Sequence, residues 1–206
     1  MKTILLVLIA LYTYSSLPAQ EQFISFLKSN NLPDCLQGFN DDEIDRLLTQ
    51  HEIQARNTTY RLDYDQMTEV LYLSSTSHCD DIAKVHLKYL TRDNKDYVFM
   101  YKERVPHSNT YGRLRVYNFD SSDSTWAQGR KIEVTWEQLF NLNERDLKRL
   151  KDIDQFPKYM VRFDDNDIVF DIPWRLYTFE EGSVNDGFTM SGGIKEARMP
   201  YHYFIR

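Results

Sequence analysis

The sequence predicts an α+β fold: a mostly antiparallel β-sheet arranged as a meander, two N-terminal helices and one helical segment near residues 136–153. Apolar and polar residues alternate along much of the chain, which is the pattern of half-buried strands. The links between these segments are short and polar, so neighbouring strands are expected to pair antiparallel. Tyr and Phe, with 14 and 12 copies, favour strands. We expect the helices to cover one face or end of the sheet.

The first two predicted elements are helices. Residues 21–30 carry apolar side chains at helical spacing. The next helix begins after Asn40, a favourable N-cap residue, and ends near His51. Glu43 occupies the position where a capping box places an acid. The apolar faces consist of Phe23, Phe26 and Leu27 in the first helix and Ile44, Leu47 and Leu48 in the second.

Strands follow in the middle of the chain, separated by polar turns. Residues 92–96 and 120–124 are predicted to form turns, and residues 106–112 a loop. The apolar or alternating segments that predict strands are 60–64, 70–73, 85–89, 97–102, 113–119 and 132–136.

The last third of the chain predicts one helical segment and a hairpin. Asn143 can cap the helix within 136–153, and Pro157 lies just beyond its end. The polar turn 164–167 then separates two strand-like segments, and residues 201–205 are predicted to form a final strand. The expected buried face of the helix is Leu147, Leu150 and Ile153, and the two hairpin segments are 158–163 and 168–177.

The N-terminus predicts export. Lys2 precedes an unbroken apolar run over residues 4–11, which is too short to span a bilayer but fits the centre of a signal peptide. Cleavage is expected after Ala19, which leaves residues 20–206 as one globular domain, a usual size for a single domain. Charged residues interrupt every later apolar run, so no membrane span is expected after cleavage. The predicted location is secreted or periplasmic.

Composition bears on partners and on the two cysteines. The net charge of −6 without a basic tract argues against nucleic acid as a partner. Cys35 and Cys79 are an even pair in an exported protein and can form one disulfide, the alternative being two buried thiols.

The densest polar cluster is His78-Cys79-Asp80-Asp81, with His86 downstream. It lacks the paired spacing of a metal site, and a disulfide would remove Cys79 as a nucleophile. We therefore interpret it as a turn with a structural cysteine. The short Asp-rich turns lack the pattern of a calcium loop. No metal and no cofactor are predicted.

The aromatic rows are the candidate ligand contacts. Tyr97, Phe99 and Tyr101 share one strand face, and Trp174 lies on another predicted strand. Such rows can stack on a sugar or line an apolar pocket. They serve core and cross-strand packing more often.

Two functional hypotheses from different classes follow. The first is a non-catalytic extracytoplasmic binding or accessory module for a small molecule, a glycan or a protein partner. The alternative is a secreted or periplasmic hydrolase whose catalytic residues are dispersed along the chain. It requires a cleft in which an acid meets at least two of His78, His86, His107 and His202.

Overall fold

A computed structural model describes residues 24–29, 39–55, 57–65, 67–77, 82–103, 112–173 and 194–205. Residues 24–27 are helical. The other helices of these ranges are α1 (Asp41–Gln50), α2 (Trp136–Leu139), α3 (Glu144–Ile153) and a 3₁₀ helix (Tyr201–Tyr203). The strands are β1 (Glu52–Ala55), β2 (Thr58–Asp65), β3 (Val70–Ser77), β4 (Ile82–Arg92), β5 (Lys95–Glu103), β6 (Arg113–Asp120), β7 (Thr125–Trp126), β8 (Arg130–Ile132), β9 (Met160–Phe163), β10 (Asp167–Pro173) and β11 (Ile194–Pro200).

The strands form two sheets. In the large, curled sheet β1 to β7 pair in chain order, and β8 adds to β6; in the small sheet the order is β11-β10-β9. The described pairs are antiparallel, which confirms the predicted meander. The division into two sheets was not predicted.

The helix α1 has the predicted N-terminus. The side chain of Asn40 accepts a hydrogen bond from the Glu43 backbone N–H (2.9 Å), and the Glu43 carboxylate accepts one from the Asn40 N–H (3.0 Å). This reciprocal pair satisfies two N–H groups that the helix itself leaves without partners. The helix ends at His51, in the left-handed conformation with φ of 62°. Ile44 and Leu47 are buried as predicted.

The polar turn between β4 and β5 is tighter than predicted. Asp93 and Asn94 both have positive φ angles, 52° and 59°. Two consecutive left-handed residues form the turn that matches the twist of a two-residue hairpin. Arg92 and Lys95 therefore pair as the last residues of the two strands.

The large sheet is buried on both faces. Its helix face packs against α1 and residues 24–27, and its sandwich face packs against the small sheet and the α2–α3 segment. Strand residues of the helix-face core are Ile53, Tyr60, Leu62, Leu71, Leu73, Val85, Leu87, Val98, Met100, Tyr117 and Trp126. Those of the sandwich-face core are Val70, Phe99, Tyr101, Leu114, Val116 and Ile132 on the large sheet, and Val161, Phe163, Ile168, Phe170, Ile172, Ala197 and Met199 on the small sheet.

The helical segment predicted at 136–153 is two helices. The backbone of Phe140 is extended (φ −141°, ψ 140°), and Asn143 then caps α3 by accepting from the Asp146 N–H at 2.9 Å. Trp136, predicted to end a strand, begins α2 instead. Its ring is fully buried, and its Nε1 donates to the carbonyl of Asp154 (2.9 Å), so side-chain burial decides where the chain turns.

The strand predicted at 201–205 is wrong. The extended segment is Ile194–Pro200, and the chain then forms the 3₁₀ helix, which the bond from the Phe204 N–H to the Tyr201 carbonyl closes. Tyr201 is buried, and its hydroxyl donates to the Asp164 carbonyl at 2.7 Å. This anchor to the β9–β10 turn favours a compact helical turn over an extended chain. The short strands β1 and β7 were not predicted.

Candidate functional site

The candidate site is the part of the sandwich face that the small sheet leaves partly open. Asp63, Tyr72, His86 and Tyr101 are direct cross-strand neighbours on β2, β3, β4 and β5. Tyr101 is buried, Tyr72 and His86 are half-buried, and Asp63 is exposed. Coverage therefore decreases stepwise from β5 to β2. The polar shelf is defined here as Asp63, Tyr72, Ser74, Lys84, His86 and Glu103.

His86 is the most enclosed titratable group of the polar shelf. Its Nε2 lies 3.4 Å from a carboxylate oxygen of Glu103, and the two side chains are 14% and 34% exposed. The imidazole makes edge contacts with Tyr72 and Tyr101, at centroid distances of 4.9 and 5.6 Å. These contacts place the ring between two aromatic side chains with one acid beside it.

Burial lowers the pKa of His86 below its usual value. The charge of Glu103 and its hydrogen bond raise this pKa, and the positive charge of Lys84 lowers it further. Because burial is the largest effect, it favours the neutral form of the imidazole. A neutral imidazole can accept a proton or a hydrogen bond from a ligand.

The phenol of Tyr72 stays protonated. Burial raises its pKa, as does the negative charge of Asp65, and a hydrogen bond with Thr68 opposes them. Tyr72 thus offers the shelf a ring surface and a neutral hydroxyl group.

Lys88 lies on the same face, two residues beyond His86, and is only 3% exposed. Its Nζ donates to the Thr68 carbonyl (2.5 Å) and is 3.5 Å from a Glu69 carboxylate oxygen. A buried ammonium needs such partners, since burial without them costs several kcal/mol. Thr68 is in turn held by Asp65, whose carboxylate accepts from the Thr68 hydroxyl at 2.8 Å. Lys88 therefore closes the β2–β3 turn against the sheet.

An ion-pair chain crosses the face of the small sheet that is opposite to Phe170 and Ile172. Arg162 donates to both carboxylate oxygens of Asp171 (2.5 and 3.0 Å) and to Glu196 (2.8 Å). Arg198 donates to Glu196 and to Asp164, both at 2.7 Å. These bonds link β9, β10 and β11, so the chain has an evident structural role.

The predicted aromatic contacts lie at the covered end of the face. Phe99 is fully buried, with its ring 5.0 Å from that of Tyr201, and Tyr101 donates from its hydroxyl to the Tyr159 carbonyl at 3.4 Å. Tyr97 is half-buried at the edge of the same core. A ligand could reach Phe99 only if the small sheet moved. Trp174 lies outside the described residues, and ligand binding by these four side chains stays a prediction.

The structure places two of the four candidate histidines. His86 meets an acid, whereas His202 is exposed and stacks on Tyr203 with a centroid distance of 4.8 Å. The other two candidate histidines, His78 and His107, lie outside the described residues. So do Asp80 and Asp81 of the polar cluster and both cysteines of the predicted disulfide, Cys35 and Cys79.

Sequence reasoning missed Tyr72, Glu103 and Lys88. The signal was present in β4, where Lys84, His86 and Lys88 alternate with apolar neighbours and so define one polar face. The alternation does not specify how neighbouring strands pair, and it is this register that brings Glu103 of β5 and Tyr72 of β3 next to His86.

Comparisons of the chain with protein-family models, with curated proteins and with solved structures found no match. In the part of the chain that the structure describes, no helix is long and apolar enough to cross a membrane. Among the same residues, no group of three or more His, Cys, Asp or Glu side chains could hold a metal ion.

Proposed function

We propose that the protein is a non-catalytic extracytoplasmic binding or accessory module whose ligand contacts the polar shelf. The observation that carries the proposal is the half-covered Tyr72–His86 pair at the boundary between a packed core and solvent. The signal-peptide pattern of residues 1–19 supports the location outside the cytoplasm.

The chemistry of the polar shelf suits a polar ligand. The Tyr72 ring provides apolar contact area beside a hydrogen-bonding group, a combination common in recognition surfaces. Asp63 supplies an acceptor, Lys84 a donor, and Ser74 a group that can do both. Within the described residues these three side chains have no hydrogen-bond partner, and we expect their polar atoms to contact a small molecule, a glycan or a protein.

The test is a ligand screen read by thermal unfolding. A ligand that binds the folded state raises the melting temperature by mass action. We expect Tyr72→Ala to abolish the shift that a hit produces. Tyr64→Ala is the matched control, because Tyr64 is 42% exposed on the neighbouring strand but belongs to the opposite face. A hit whose shift survives Tyr72→Ala and is lost in Tyr64→Ala would contradict the proposed site.

Export has its own measurement. We expect the intact mass of protein recovered from the extracytoplasmic fraction to lack residues 1–19. If Cys35 and Cys79 are bridged, the denatured mass is lower by two hydrogens than that of the reduced chain. A full-length mass would refute the export proposal while leaving the polar shelf open to test.

A hydrolase is the second candidate, favoured by the His86–Glu103 pair. A neutral imidazole held by a carboxylate is the arrangement of a general base. The test measures turnover of ester, peptide, glycoside and phosphate model substrates. Under this alternative His86→Gln lowers turnover by about 100-fold or more, while His202→Gln, at an exposed histidine, retains it. Equal rates in the two variants would eliminate His86 as the base.

A further inference from the structure

His86 lies on the sandwich face of the large sheet, at the boundary between the part that the small sheet covers and the part that is exposed to solvent. On one side is the buried Tyr101, which contacts the segment leading into β9 through its bond to the Tyr159 carbonyl. On the other side is Tyr72, which borders the open shelf. A proton added to His86 therefore creates a charge at the join between the packed core and the candidate ligand surface, in a side chain that is 14% exposed.

The charges around His86 are mostly positive. Lys84 and Lys88 lie two residues before and after it on the same face of β4, and Glu103 is the acid beside it. From β3 it meets the neutral Tyr72 and from β5 the neutral Tyr101. Arg162 of the small sheet acts on the neighbouring Tyr72 and is itself paired with Asp171 and Glu196. Two further acids lie near this face: Glu69 pairs with Lys88, and Asp63 lies one strand further away, across from Tyr72. Among the described acids, Glu103 is the one whose charge acts on His86.

We propose that His86 makes the polar shelf sensitive to protons: the neutral imidazole holds β3, β4 and β5 together beneath the shelf, and its protonation loosens this end of the sheet and weakens ligand binding. The effect on the free protein needs no ligand. The effect on binding rests on the proposed function.

The direction follows from linkage. Because burial lowers the pKa of His86 in the folded protein, the unfolded chain takes up the proton first as the pH falls below about 6.5. The stability that the neutral ring contributes is full above that pH and is lost as the pH falls towards the folded-state pKa. Acidification from neutral pH thus destabilises the fold through this residue.

The experiment compares melting temperatures of the free protein between about pH 7.5 and pH 5.5, which brackets the histidine range. We expect His86→Gln, which keeps a donor towards Glu103 without a titratable ring, to reduce the acid-induced decrease by about 2–4 °C. Glu103→Gln should enlarge the decrease, since it removes the compensating acid. Lys84→Gln should diminish it, since it removes a repelling cation. The control His202→Gln should behave as the wild type.

Two results would overturn the proposal: an unchanged pH dependence in His86→Gln, or a smaller decrease in Glu103→Gln. Should a variant not fold, the titration of His86 followed by NMR in the unmodified protein decides, and a midpoint at or above about 6.5 overturns it. For any hit of the ligand screen, the dissociation constant should rise on acidification in the wild type and not in His86→Gln. If the stability depends on pH through His86 but no ligand binds the polar shelf, the proton sensitivity would be supported and the proposed function refuted.

Discussion

The two faces of β4 differ in their surroundings. On the helix face, Val85 and Leu87 are buried among apolar residues from six other strands and α1. On the sandwich face of the same strand, His86 and Lys88 have polar partners. A second layer packs on each face, but the two layers differ in kind and in how much of the face they cover. The helix face meets the amphipathic helix α1, which contacts mainly β1 and β2. The sandwich face meets a three-stranded sheet that covers β5 and β6 and leaves the face open towards β2. Coverage by the second layer, more than composition, thus distinguishes core from candidate site.

The largest expected loss of stability comes from replacing a fully covered aromatic side chain on the sandwich face, compared with a half-buried one. Phe99→Ala should lower the free energy of unfolding by about 3–5 kcal/mol, because it leaves a cavity beneath the small sheet. Tyr97→Ala, two residues earlier on the same face and half-buried, should cost clearly less. Denaturant unfolding measures both. Equal losses would mean that the small sheet does not determine the boundary of this core.

Two glycines allow the packing tightness of the two faces to be compared: Gly112 lies against Tyr101 of the sandwich face, and Gly129 against Tyr117 of the helix face. A Cβ at Gly112 would lie 2.3 Å from the Tyr101 ring and 2.5 Å from the Lys102 carbonyl oxygen, whereas the three atoms nearest to a Cβ at Gly129 all belong to the Tyr117 side chain, the first at 2.3 Å. Backbone cannot yield as a side chain can, so Gly112→Ala should be the more destabilising, by about 1–3 kcal/mol. Thermal unfolding of the two variants provides the measurement. A larger loss in Gly129→Ala would show that Tyr117 is held more rigidly than Tyr101.

The smallest effect concerns two lysines on one strand face. Lys88→Ala leaves the Thr68 carbonyl without its buried donor and should cost about 1–3 kcal/mol. Lys84→Ala removes an exposed side chain without an ion-pair partner in the described chain and should change stability by less than about 0.5 kcal/mol. Chemical denaturation at neutral pH compares them. If both changes were negligible, the β2–β3 turn would not depend on Lys88.

The candidate site was predictable only in part. Alternation along β4 places His86 on a polar face, and the same reasoning applies equally to Lys84 and Lys88. Nothing local distinguishes the exposed lysine from the buried one. Likewise, the Tyr97–Phe99–Tyr101 row is evident in the sequence, yet Phe99 is sealed beneath the small sheet while Tyr72, on a strand predicted only from a short apolar run, reaches the shelf.

Local chemistry in the sequence determined the cap of α1 at Asn40, the turn at Asp93 and Asn94, and the alternation that produces the meander. Each depends on contacts between residues a few positions apart. The tertiary structure decided the break between α2 and α3, the 3₁₀ turn at Tyr201 and the pairing of His86 with Glu103. These depend on strand register and on which layer covers which face, and both are set by residues distant in the chain that meet only when the sheets pack.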